Sequence, residues 1–174
     1  MVLDWIRVDG DRLADSSGAT VRLLGVGLGG WMNLENFADG YPGNEENIRR
    51  ILLDRMGQES YDAFFEEFYR AFFDEADAAH LASLGINSVR IPVNYRHFED
   101  DAQPFRLKED GFARLDRVVE LLARHGIYSV IDLHALPGRQ NQHWHSDNPT
   151  HLAEFWKHPH FQDRVVNLWE ALAD

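Results

Sequence analysis

Between about Ser60 and Leu84 the apolar residues Tyr61, Phe64, Phe65, Phe68, Phe72, Phe73, Ala76, Leu81 and Leu84 recur at three- and four-residue steps. That spacing puts them on one stripe of an amphipathic helix, and Gly85 supplies its stop. A second stripe, Phe112, Leu115, Val118, Val119 and Leu122, predicts a helix near Glu109–His125 that ends at Gly126. A third, with Phe161, Val165, Leu168, Trp169 and Leu172 facing inward, predicts a helix over about His160–Ala173. Shorter β-prone runs lie between the helices: Ser88–Val93, with Pro92 tolerable only near a strand end, and Ile127–Leu133. At the start, Trp5–Val8 and Val21–Leu24 flank the turn-rich Asp15–Gly18 and predict a hairpin. The second run continues into Gly25-Val26-Gly27-Leu28-Gly29-Gly30, where the glycines suggest close backbone approach at a strand end. The long connection Trp31–Gly57 is expected to be functional or partly helical.

The resulting order is a β-hairpin followed by three strand–helix units. Such alternation implies parallel strands with right-handed crossovers. Both an open doubly wound sheet and a closed barrel fit it. Polar residues gather where strands end: Glu35 after the first, Arg90 and Asn94 on and after the second, His134 after the third. Chemistry at the C-terminal ends of several strands is the habit of the (β/α)₈ barrel, which typically takes about 250 residues. The expected fold is therefore α/β, the N-terminal part of a TIM (β/α)₈ barrel. Residues 1–174 would form one partial domain of about three βα units, lacking strands 4 to 8.

Charge narrows the partners. With 17 basic and 29 acidic residues the net charge is −12, which disfavours phosphate backbones and anionic membranes but suits a neutral partner such as a sugar. No stretch approaches a membrane span in length. The absence of cysteine removes disulfides and thiolate metal sites. The opening Met1-Val2-Leu3-Asp4-Trp5 shows no secretory signal, leaving cytoplasmic location and secretion after processing both open. Twenty-one aromatic residues (11 Phe, 5 Trp, 5 Tyr) could serve a core or stack on sugar rings.

Strand parity gives two of the polar residues a direction. Val89, Ile91 and Val93 share one face, so Arg90 takes the other; His134 shares its face with Val130 and Asp132. An inward arginine needs a carboxylate partner. Asp132 is one candidate, as a structural ion pair, and a functional carboxylate is the alternative.

Four motifs then occur in order. Leu24-Gly25-Val26-Gly27-Leu28-Gly29-Gly30-Trp31-Met32-Asn33-Leu34-Glu35 resembles the first-strand signature of glycoside hydrolase family 5, especially its exo-β-1,3-glucanase-like branch. Val89-Arg90-Ile91-Pro92-Val93-Asn94-Tyr95 resembles the second-strand motif, and Asp132–Asn141, with its Pro137-Gly138, the third. Asp147-Asn148 resembles a further Asp-Asn pair of the same loop, displaced by a short insertion. The resemblance implies that Arg90 orients the nucleophile carboxylate, that His134 contacts the sugar in the −1 subsite, and that Glu35 accepts hydrogen bonds from sugar hydroxyls. Trp31, Asn94, Asn141, Asp147 and Asn148 are expected to line the same pocket.

The family hydrolyses with retention, using two carboxyl groups about 5 Å apart. Its acid/base is a Glu in an Asn-Glu-Pro after strand four and its nucleophile a Glu after strand seven. Neither can be placed here, and Asn44-Glu45-Glu46 lacks the proline and lies in the first-strand loop. The chain is thus expected to supply sugar positioning for a β-glucan or β-glucoside, to need no cofactor, and to be inactive without a C-terminal segment or a second copy to complete it.

Five of nine histidines fall in His143–His160: His143, His145, His151, His158 and His160. Imidazole binds transition metals, yet no carboxylate spacing completes a set. A solvated loop with Trp144 and Trp156 as sugar platforms fits better, and no metal site is expected. The glycine run lacks dinucleotide spacing. Two rivals to the glycosidase reading stand: a non-catalytic, self-associating half-barrel that binds sugar, and a metal-dependent barrel hydrolase built around Asp132 and His134.

Overall fold

The computed structural model describes residues 3–173; Met1 and Val2 of the opening pentapeptide and Asp174 lie outside the described residues. The chain opens not with one hairpin but with a three-stranded antiparallel meander. Its strands are β1 (Arg7–Asp9), β2 (Arg12–Ala14) and β3 (Thr20–Val21). Gly10, at φ 65°, permits the tight β1–β2 turn that brings Val8 opposite Leu13. Trp5 and Leu24, expected in the hairpin, fall outside its strands.

The central sheet is parallel, in the order β4 (Gly25–Gly27), β5 (Ser88–Asn94), β8 (Tyr128–Ala135). A Cβ at Gly25 would collide with Ser88, so this first strand approaches its neighbour as closely as the glycine run suggests. The first-strand connection is largely helical, with α1 (Asn36–Asp39) and α2 (Glu45–Met56). The long aromatic stripe is two helices, α3 (Gln58–Ala71) and α4 (Glu75–Ser83), because Asp74 and Asp77 form a capping box that ends one and starts the other. Phe64 and Leu84, counted in the stripe, are exposed, and Ala78 is the buried residue of α4. A short antiparallel pair, β6 (Glu99–Asp100) and β7 (Gln103–Leu107), was not anticipated; α5 (Glu109–Arg124) and α6 (Pro159–Ala173) fall where the stripes place them.

Helix α4 leads into β5, and α5 into β8, by the same device. After α4, Gly85 N–H bonds Ala82 O and Ile86 N–H bonds Leu81 O; after α5, Gly126 N–H bonds Ala123 O and Ile127 N–H bonds Leu122 O. These are Schellman closures, for which the positive φ of Gly85 (78°) and Gly126 (75°) is the requirement. Each turns the chain from a helix into the next parallel strand. Val89, Ile91 and Val93 face the helical layer and are buried with Leu115, Val118, Leu122 and Leu168, each side chain stabilising the fold by about 1.5–3 kcal/mol relative to exposure. In α6 the buried charged residue is Arg164, paired with the fully buried Glu99, while Trp169 is partly exposed rather than inward.

On the other face of the sheet Gly27, Arg90 and Val130 stand in register, and Arg90 and Val130 are open to solvent. No helix of the described residues is long and apolar enough to cross a membrane.

Candidate functional site

The C-terminal ends of β4, β5 and β8 carry two distinct polar clusters. The first stands on the open face of the sheet. Arg90 pairs with Asp132 Oδ2 through Nη2, the structural pair weighed from the sequence, and the same cluster includes His134. His134 Nδ1 lies 2.8 Å from Asp132 Oδ2 and 2.9 Å from Arg90 Nη2. Nδ1 carries one proton at most. A carboxylate beside it favours Nδ1–H donating to Asp132. That tautomer leaves Nε2 with a lone pair, free to accept from a hydroxyl. The His134 carbonyl is held by Gln140 Nε2 at 2.5 Å, which fixes the strand end. His145, 5.4 Å from the His134 ring, continues the row towards His143. Burial, then the neighbouring His134 and His143, lower the His145 imidazole from its ordinary value.

Glu35, the third residue beyond the bridge between Met32 and Val93, is only 8% exposed. Its backbone N–H donates to Asp39 Oδ2 at 2.7 Å. Its carboxylate abuts Gly29, and among the described residues nothing donates to it. Neither of its oxygens is among the fully buried, unpartnered side-chain atoms, so the carboxylate reaches the surface, where a ligand hydroxyl can meet it. Burial also raises the Asp39 carboxyl, opposed by the Glu35 N–H and reinforced by the charges of Glu45 and Glu35.

The second cluster is a buried clamp. Asp147 accepts from Asn44 Nδ2 and Glu46 N–H at 2.7 Å each, from Arg96 Nε at 2.9 Å and from Asn94 Nδ2 at 3.1 Å. Glu46 in turn accepts from Arg96 Nη2 at 2.8 Å and Arg139 Nη2 at 2.6 Å, while Arg139 Nε donates to the Asp147 carbonyl at 2.9 Å. Asp147 holds left-handed backbone, φ 52°, a strain offset by these four donors to its carboxylate. Asn148 is spent on the same loop, donating to the carbonyls of Asn141 and Leu152 and accepting from Thr150. Asn141 Oδ1 accepts from His143 N–H and Ser146 Oγ.

The structure therefore brings Arg90 and His134 together and keeps Glu35 ready for a donor, but it redirects other expected sugar contacts. Asn94, Asp147 and Asn148 are buried, with their polar atoms engaged by protein partners, and set the loops rather than face a ligand. Trp31 has no exposed surface and donates its indole N–H to Tyr69 O; it belongs to the core. Glu46, Arg96 and Arg139 carry the clamp, Glu45 joins it by accepting from Asn94 Nδ2 at 3.0 Å, and none of the four is among the site residues that the motifs mark. Only the Glu45/Arg49 spacing of four on one helix was a readable signal. Trp156 is exposed and tied to Gln140 O at 2.8 Å, and Trp144 meets the exposed Phe37 edge-on at 5.8 Å. Among the described residues no three His, Cys, Asp or Glu side chains converge to hold a metal ion.

Parallel βα units with polar groups gathered at the strand ends are the arrangement expected of part of a (β/α)₈ barrel. Residues 53–174, more than half of the chain, match Cellulase (glycosyl hydrolase family 5), and the chain belongs to that family. It is 56% identical over 169 residues to a Beta-xylosidase of Phanerodontia chrysosporium, covering 97% of this chain and 36% of that protein. It is 32% identical to a Glucan 1,3-beta-glucosidase of Kluyveromyces lactis over 69% of this chain and 30% of that one. The chain thus spans about a third of the length of these curated relatives. A rutinosidase from Aspergillus niger superposes with a TM-score of 0.68 at 24% identity, over 83% of this chain and 41% of its own, which shows the shared fold.

Proposed function

We propose that this chain supplies the sugar-positioning part of a retaining O-glycoside hydrolase acting on β-glucosidic bonds of a glucan or glucoside. The observation that carries the reading is the Arg90–Asp132–His134 cluster on the open face of the sheet, beside strand ends whose loops the buried clamp fixes. In this reading Glu35 and His134 Nε2 take hydrogen bonds from sugar hydroxyls, with Asn141 at the loop edge. Arg90, exposed although paired with Asp132, orients the nucleophile carboxylate once that residue is present. The acid/base and nucleophile glutamates come from further barrel strands, since a retaining pair must sit about 5 Å apart across the glycosidic bond. The relative named Beta-xylosidase widens the sugar class to β-xylosides, whose pyranose ring offers the same 2-, 3- and 4-hydroxyls.

The test is to complete the barrel with the C-terminal segment of a family relative and assay aryl-β-glucosides and aryl-β-xylosides. Hydrolysis that falls by about 10²-fold or more in Glu35→Ala or His134→Ala supports the reading. A completed, folded barrel that cleaves neither substrate overturns it.

A second reading has its own observation. The sheet order β4-β5-β8 leaves two unpaired edges and an exposed inner face among the described residues, and such edges recruit strands. A second copy could cover them, giving a self-associated sugar binder. Light scattering that finds a dimer binding sugar without hydrolysis favours it.

A further inference from the structure

Glu35 stands at the N-cap of α1, in extended backbone at φ −119° and ψ 123°. A side chain there ordinarily accepts from the first-turn amides, but the Glu35 side chain makes no such bond. Asp39, at the other end of this one-turn helix, closes the turn instead. Its Oδ2 accepts the Glu35 N–H at 2.7 Å, and its own N–H donates to the Glu35 carbonyl at 2.9 Å. Asp39 thus engages both main-chain polar groups of Glu35, which leaves the Glu35 carboxylate without a capping duty.

The two glycines beyond β4 are fitted to this turn. A Cβ at Gly30, which has φ 77°, would lie 3.1 Å from Asp39 Oδ1 and 3.2 Å from Ala38 Cβ. A Cβ at Gly29 would lie 3.1 Å from Glu35 Oε1. A side chain at either position would press on the carboxylate that packs there, so Gly29 and Gly30 seat Glu35 and Asp39 next to one another. Gly40, at φ 71°, ends the turn by donating its N–H to Asn36 O. A helix of four residues gains little from its own hydrogen bonds. The orientation of Glu35 therefore depends on the Asp39 carboxylate and the glycine seat.

We infer, on the reading of Glu35 as a sugar contact, that Asp39 is a positioning residue for sugar binding. It grips the main chain of Glu35, and the freed carboxylate is held over Gly29 for a sugar hydroxyl. Asp39 acts only through Glu35 and touches no sugar itself.

Titration of the full chain with methyl β-D-xyloside and methyl β-D-glucoside, followed by ¹H–¹⁵N NMR, tests it in a double-mutant cycle. Residues 37–40 form an exposed turn, so substitution at Asp39 leaves the core intact. Asp39→Ala should weaken binding by about tenfold, the scale of a lost hydrogen bond to a charged group. In a Glu35→Ala background the same substitution should weaken it no further. Asp39→Asn keeps an acceptor for the Glu35 N–H. It should restore the affinity, together with the slow hydrogen exchange of the Glu35 amide that Asp39→Ala loses. Unchanged affinity in Asp39→Ala, an equal loss in the Glu35→Ala background, or failure of Asp39→Asn to restore binding overturns the inference alone. A parent chain that binds neither sugar overturns the glycosidase reading and the role of Asp39 together.

Discussion

Glu45 Oε2 receives the backbone N–H of Leu34 at 3.0 Å and so fixes the residue that precedes Glu35. The same oxygen receives Asn94 Nδ2 at 3.0 Å, and Oε1 receives Arg49 Nε at 2.7 Å. One buried carboxylate from α2 thus ties the first-strand loop to the end of β5. Glu45→Ala leaves the Arg49 charge, an asparagine amide and a backbone N–H without their acceptor. Breaking a buried pair in this way costs about 3–5 kcal/mol. Urea unfolding should show that loss. A change below about 1 kcal/mol, the scale of an exposed pair, would refute the role assigned to Glu45.

His134 should exist as its Nδ1–H tautomer, because Asp132 Oδ2 sits 2.8 Å from Nδ1. Long-range ¹H–¹⁵N spectra of the ring report this directly. In Asp132→Asn the constraint is lost and the tautomers mix. Stability should change by less than about 1 kcal/mol, since the cluster is substantially exposed and screened. A predominantly Nε2–H ring in the parent chain would contradict the assignment.

His97 makes stability depend on pH in a predictable direction. Burial, then Arg49, Arg114 and Lys108, depress its folded-state pKa well below 6.5. Between that depressed value and about 6.5 the unfolded chain binds the extra proton, so unfolding free energy falls as pH drops. The contribution is fully present above about pH 6.5 and is lost on acidification, at no more than about 1.4 kcal/mol per pH unit. Denaturant curves from about pH 7.5 to about pH 5.5, above the usual carboxylate range, should show the slope, and His97→Gln should flatten it. Equal slopes in the two proteins would rule out His97 as the source.

The break between α3 and α4 rests on Asp74, whose side chain accepts from Ala76 N–H at 2.8 Å and Asp77 N–H at 3.3 Å. Asp74→Ala should cost about 1 kcal/mol. Asp74→Ser, which keeps the acceptor, should recover most of it. Thermal unfolding of the two variants distinguishes the cap from a general effect of substitution.

Much of the fold is legible in the sequence, and the reasons are local. The stripes of α5 and α6, the alternation of Val89, Ile91 and Val93, and the stops at Gly85 and Gly126 follow from helical and strand periods that neighbouring residues set. The break at Asp74 was readable too, but nine apolar residues in register outweighed one cap. The meander is not legible in the sequence because strands of two or three residues carry almost no periodic signal.

For the site, the sequence by itself determined which side chains reach the strand ends and, through four ordered motifs, the family to which they belong. It also placed Arg90, Asp132 and His134 on one face, because parity along parallel strands is arithmetic once the register is known. Only the tertiary structure decided which polar residues stay available to a ligand. Trp31, Asn94, Asp147 and Asn148 lie in the same motifs as Glu35 and His134, yet the structure buries the first three among partners from distant segments and spends the fourth on its own loop. The Asn44–Asp147 hydrogen bond joins residues 103 positions apart. Such contacts have no period and no local spacing, since they arise only when the loops of three strands meet at one end of the sheet.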